Sequence, residues 1–176
     1  MLTFRHRVEP ASEPEIRPET PGFVLDEWRV LHQSALAFRL MREHAGKRLK
    51  HGQLVSICPH DGERFLLAKI TWLRQQRNGS LAVEVTLLPG IPQAIAARPL
   101  TQSPGNAELF SRAFLLPPLR AVGAEPTLVL PRGWYKSGRI VEIDHGCEGG
   151  EIGLAKMVNI MDDGVDFERV GFTLAT

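Results

Sequence analysis

Two cysteines in 176 residues are too few to frame a disulfide scaffold, and Cys58 and Cys147 lack zinc-ligand spacing. They read as reduced thiols of a cytoplasmic chain, with a single bridge between them left open. Charge of one sign is also lacking. Lys and Arg total 21 against 20 Asp and Glu, a net charge of +1, so no global field draws the chain to nucleic acid or an anionic membrane. No apolar run approaches the roughly 20 residues that span a bilayer, so no membrane insertion is expected. The opening MLTFRHRVEP is basic without a following apolar core, which argues against a secretory signal.

Motifs of cofactor chemistry are missing as well. There is no GxxxxGK[ST], and no GxGxxG opens a helix. Six histidines, at 6, 32, 44, 51, 60 and 145, share no short His-x-x-x-His or Cys-x-x-Cys spacing, so no metal is expected. The run Asp162-Asp163-Gly164-Val165-Asp166 lacks the alternating acids and distal Glu of a calcium loop and reads as a solvated turn. Strands alternating with helices, the mark of a parallel α/β sheet, are not visible.

What is present is ordered with period two. From Arg64 to Pro89, two apolar-rich runs flank Asn78-Gly79, a dipeptide that tolerates the positive φ of a tight hairpin. Leu81, Val83, Val85 and Leu87 alternate with Ala82, Glu84 and Thr86, as in a half-buried strand. On the other arm, Leu66, Ala68, Ile70 and Trp72 are placed on one inner face. Trp28 to His32 and Leu36 to Met41 read as short strands around Gln33-Ser34-Ala35, with a helix across 33–45 as competitor. Leu54, Val55 and Ile57 form another strand. Pro10, Pro14, Pro18 and Pro21 make residues 1–22 an extended arm.

After Pro89 the connection is irregular. Asn106 could cap a short helix near 106–114 that buries Leu109, Phe110, Ala113 and Phe114. Four strand-like runs follow: Thr127 to Leu130, Gly138 to Ile143, Ile152 to Met161 and Phe167 to Leu174. The expected fold is therefore all-β and mainly antiparallel, with one or two small barrels and that single helix. The expected divisions are the arm 1–22, a first barrel 23–98 and a second β-rich block 99–176.

Candidate chemistry is thin. Ser34 lies two residues from His32 with Asp26 nearby, but no oxyanion turn surrounds them, so no enzyme is expected. Arg39, Arg42, Lys47, Arg48 and Lys50 form the densest positive stretch. It reads as a solubilising face, with anionic partners as the sharper alternative. Trp134 and Tyr135 sit at a turn, either as an exposed contact platform or as a lid on a barrel end.

Residues 28–58 resemble part of a PilZ-type domain, the small barrel family that senses cyclic di-GMP. His32-Gln33-Ser34-Ala35-Leu36-Ala37 is similar to the family's [D/N]xSxxG turn, and Gly52-Gln53-Leu54-Val55-Ser56-Ile57 to a later strand. Ser34 matches, while His32 and Ala37 replace the acid or amide and the glycine. The family's RxxxR is absent, and Arg5 and Arg7 are the nearest arginine pair. The cadence LxLPxGxYxxGR at 128–139 also resembles barrel segments of translation-factor β-domains.

The PilZ resemblance implies a non-catalytic regulatory or adaptor module acting through a protein partner. Its ligand-side residues would be Arg5, Arg7, Ser34, Arg39 and Arg42, and its contact surface Lys47, Arg48, Lys50, Trp134 and Tyr135. No cofactor is expected, and cyclic di-GMP is disfavoured by the missing arginine pair. A homodimer through unpaired strand edges is a further expectation. The alternative is a nucleic-acid- or ribosome-associated barrel using the 39–50 basic stretch.

Overall fold

A computed structural model describes residues 2–5, 24–44, 46–60, 62–100, 109–146 and 152–175. The chain divides into two compact units, Met1–Ile91 and Pro92–Thr176.

The first unit is one seven-stranded sheet. Its strands are β1 (Leu2–Arg5), β2 (Val24–Glu27), β3 (Arg29–Gln33), β4 (Ala37–Arg42), β5 (Leu54–Cys58), β6 (Leu66–Gln75) and β7 (Leu81–Leu87). Their spatial order is β2-β1-β5-β6-β7-β4-β3. β1 runs parallel to both β2 and β5, and the other pairings are antiparallel. Residues 2–5 are thus a strand rather than part of an extended arm. The rest of the expected arm, Arg7 included, lies outside the described residues.

The two edge strands, β2 and β3, are separated in sequence by Trp28 alone. Consecutive Cα atoms lie about 3.8 Å apart, so the sheet must curl until its edges meet at that residue. Trp28 is buried at this seam and packs with Phe38, Leu40, Val55, Ile70, Val83 and Val85. The competing helix over 33–45 does not form. β4 is held between β3 and β7, and its side chains Phe38 and Leu40 alternate inward. Helix propensity is a weak prior that such pairing on both edges overrides.

The second unit is a closed barrel in the order β10-β13-β12-β11-β8-β9. The strands are β8 (Gln93–Pro99), β9 (Ser111–Leu116), β10 (Thr127–Pro131), β11 (Ile140–Asp144), β12 (Gly153–Asp163) and β13 (Phe167–Ala175). Leu128, Leu130, Val141, Ile143, Ala155, Met157 and Val170 fill it. One 3₁₀ turn, Arg120–Val122, joins β9 to β10.

Two expectations are corrected here. Residues 111–114 of the expected helix are strand, because β9 is paired to β8 on one side and β10 on the other. Leu109 is almost fully exposed instead of buried, and 106–108 lie outside the described residues. The unit boundary falls before Pro92 rather than after residue 98, since β8 pairs only with barrel strands.

Candidate functional site

The central hairpin carries a register shift that re-aims one side chain. Ile70 lies opposite Val85 and Trp72 opposite Glu84, so Thr71 is the extra residue of a β-bulge. Past the bulge the inward position passes to Leu73, which packs on the core. Trp72, expected on the inner face, is turned outward and is 40% exposed. Bulges are enriched beside functional sites because they redirect side chains in this way.

On the outer face Trp72 has two neighbours from adjacent strands. Arg39 on β4 lies directly opposite Glu84 on β7. Its Nη2 and Nε both donate to Glu84 Oε2, at 2.7 and 3.2 Å. The Arg39 guanidinium also stands 5.6 Å from the centre of the Trp72 ring. β4, β7 and β6 thereby set a cation, a carboxylate and an indole side by side.

Arg42 has a different fate. It is 4% exposed, ion-paired with Asp26 of β2 and stacked 4.9 Å over the Trp28 ring. Its Nη2 also donates to the Lys47 carbonyl at 3.3 Å. It is a clamp across the seam where the sheet's edges meet. His44 Nε2 approaches the same Asp26 at 3.8 Å.

Ser34 closes the β3–β4 turn. Its Oγ accepts from the Ala37 N–H at 3.1 Å, and its own N–H donates to the Ala37 carbonyl at 2.9 Å. Arg5 lies in β1, and its side chain is outside what the structure describes.

The basic strap is firmly seated. Leu49 is buried in the core while Lys47, Arg48 and Lys50 face solvent, and no described acid pairs with them. Gln53 caps the strap by accepting the Lys50 N–H at 3.1 Å. Gly52 donates to the Ile70 carbonyl at 2.8 Å, so the strap ends beside the strand that carries Trp72.

In the barrel, Trp134 and Tyr135 are half-buried against the core. Glu168 accepts the backbone N–H groups of Gly133 and Tyr135, each at 2.7 Å, which fixes the turn. Tyr135 Oη donates to the Val158 carbonyl at 3.2 Å, and Arg139 donates to the Trp134 carbonyl at 2.6 Å. Burial pushes the Arg169 guanidinium below its ordinary range, and Asp162 across the ladder acts against that shift. Arg98 pairs with Glu142 and stacks 4.5 Å over the Phe110 ring. Cys58 is buried, and its thiol donates to the Gly62 carbonyl at 3.3 Å. Cys147 lies outside the described residues.

Comparison with known proteins adds to this geometry. Residues 95–175 match the family model of the FimW C-terminal beta-barrel domain. That span runs from within β8 to the end of β13, which is nearly the whole closed barrel. Over 102 residues, 57% of this chain, the sequence is 28% identical to the cyclic-di-GMP receptor FimW of Pseudomonas aeruginosa. The matched region covers 17% of that receptor's length. No solved structure matches the chain significantly. The likeness to the family model therefore falls on the second unit, whereas the residues that resemble PilZ lie in the first.

Sequence reasoning put Trp72 on the wrong face and did not single out Glu84. A usable signal was present. Counting from Leu66 by twos turns Trp72 inward. Counting back from the turn, where Gln75 lies opposite Leu81, turns Leu73 inward and Trp72 outward. The mismatch of one is what an inserted bulge residue produces.

Proposed function

We propose that this chain is a non-catalytic regulatory module of the cytoplasm that responds to cyclic di-GMP and passes the response to a protein partner. The observation that carries the reading is the match of the barrel, residues 95–175, to the C-terminal domain family of a protein named as a cyclic-di-GMP receptor. The PilZ-like turn at Ser34 supports the same ligand, although no RxxxR precedes it. Arg42 is held in the seam by Asp26 and Trp28, which supports loss of the usual arginine clamp. Arg39 stays at the surface and is the better placed of the two arginines.

For the protein partner, support comes from the later half of β12. Val158, Ile160 and Met161 are apolar and exposed where the strand carries two register shifts. Exposed apolar clusters of this kind favour protein contact. Titration calorimetry of the intact chain tests the ligand. Micromolar binding of cyclic di-GMP is expected, and absence of heat and of any shift in melting temperature overturns the reading. Ile160→Asp should leave that binding intact while abolishing capture of the partner.

The exposed cations of the strap favour a second reading, a nucleic-acid-associated module. Its signature is binding to single-stranded RNA that weakens steeply as salt rises.

A further inference from the structure

The outer face of the first unit holds a feature that neither the barrel's family nor the PilZ-like turn accounts for. Three observations converge on Trp72. A bulge turns a large indole to solvent in a strand whose simple alternation would have buried it. Arg39 stands over that ring at 5.6 Å. Glu84 lies opposite both, and both Arg39 donors fall on its Oε2, so Oε1 keeps its lone pairs for another donor.

We propose that Trp72, Arg39 and Glu84 form a stacking site for the guanine base of a nucleotide. The reading of this chain as a cyclic di-GMP responder supplies the first ligand to try, while the site itself rests on the geometry. Nucleic-acid bases stack on aromatic rings such as indole and on the guanidinium plane of arginine. A base held between them needs about 7 Å, twice the ~3.5 Å of van der Waals contact. The present separation is 5.6 Å, so the site requires the half-exposed Arg39 side chain to move outward when a base enters.

Glu84 supplies the choice of base. A carboxylate accepts and cannot donate, and guanine presents N–H donors at N1 and N2 where adenine presents an acceptor. An edge-on carboxylate facing N1 and N2 therefore favours guanine, because adenine would turn an N1 lone pair and a bare C–H toward it. Exposed cations lie near in the fold. Arg74 stands two residues along β6 on the same face as Trp72, and Lys50 lies two residues before Gly52, which donates to the Ile70 carbonyl of β6. Guanidinium forks match phosphate oxygens, and ammonium groups add charge.

The test is titration of the intact chain with cyclic di-GMP, GTP and cyclic di-AMP, followed by calorimetry and tryptophan fluorescence. Trp28 is buried and Trp134 half-buried, so Trp72 dominates any quenching by a stacked base. Cyclic di-GMP should bind and quench, W72A should weaken it at least tenfold, W72F only a few-fold, and Trp134→Phe should leave the quenching in place. E84Q should erase the preference for guanine over adenine. Both Trp72 and Glu84 face outward, so far-UV spectra and melts of the variants should match the parent.

Binding of cyclic di-GMP that is indifferent to W72A and R39A overturns the site and leaves the proposed function standing. GTP binding through Trp72 with cyclic di-GMP ignored supports the site and overturns the proposed function. Equal binding of adenine and guanine forms overturns the role of Glu84. No binding of any of the three overturns both site and function.

Discussion

Arg39 and Arg42 lie three residues apart on one strand and behave as opposites. Arg39 exchanges an ion pair in solvent, where such pairs contribute about 0–1 kcal/mol, so Arg39→Ala should barely change a urea melt. Arg42 is buried against Asp26 and the Trp28 ring. Removing it strands a carboxylate at the seam, and Arg42→Ala should cost roughly 3–5 kcal/mol by the same measurement. Gly46 belongs to that clamp. A methyl group there would collide with the Arg42 guanidinium, which its partners prevent from swinging away. Gly46→Ala should therefore destabilise by about 1–3 kcal/mol, and Arg42→Ala should remove most of that penalty in a double-mutant cycle.

At the scale of the element, the central hairpin shows how turn and strand share control of register. Gly79 holds φ at +85°, with Ser80 bonded back to Asn78 Oδ1 through both its N–H, at 3.1 Å, and its Oγ, at 2.7 Å. A side chain at Gly79 would meet no atom within 4 Å, so the penalty for Gly79→Ala is purely one of backbone conformation. It should cost about 1–2 kcal/mol in a chemical melt, with the hairpin's slow-exchanging amides losing protection by the same amount. The strand β9 teaches the complementary lesson. Leu109, Phe110, Ala113 and Phe114 are spaced as on a helix, yet Ala113 is buried in the barrel and Leu109 faces water. Local spacing was ambiguous there because a short apolar run fits either period.

For the whole molecule, the two units differ in how they dispose of their sheet edges. The barrel removes them by closure, and all six of its strands lie between residues 93 and 175. A fragment of residues 92–176 should therefore fold by itself with a cooperative thermal transition and a strand-dominated circular dichroism spectrum. A fragment that remains unfolded would contradict the division at Pro92. The first unit keeps β2 and β3 as edge strands and draws them together at Trp28, with the Arg42–Asp26 pair at the join. That arrangement predicts a larger loss from a seam substitution than from any surface pair.

Much of this was legible beforehand in the residues. Period-two order in 81–87, the Asn78-Gly79 turn and the four strands after Thr127 follow from local chemistry, since alternation and turn preference are properties of a few neighbouring side chains. The exposure of Trp72, the burial of Arg42, the strand at 111–116 and the closure of the barrel were decided elsewhere. Each depends on which strand lies alongside, and a partner on another strand leaves no mark on the local period. Sequence alone determined that this chain is built of strands, most of them antiparallel. Tertiary structure alone decided which arginine faces water and which tryptophan waits there beside it, because pairing register sets the direction of every side chain in a sheet.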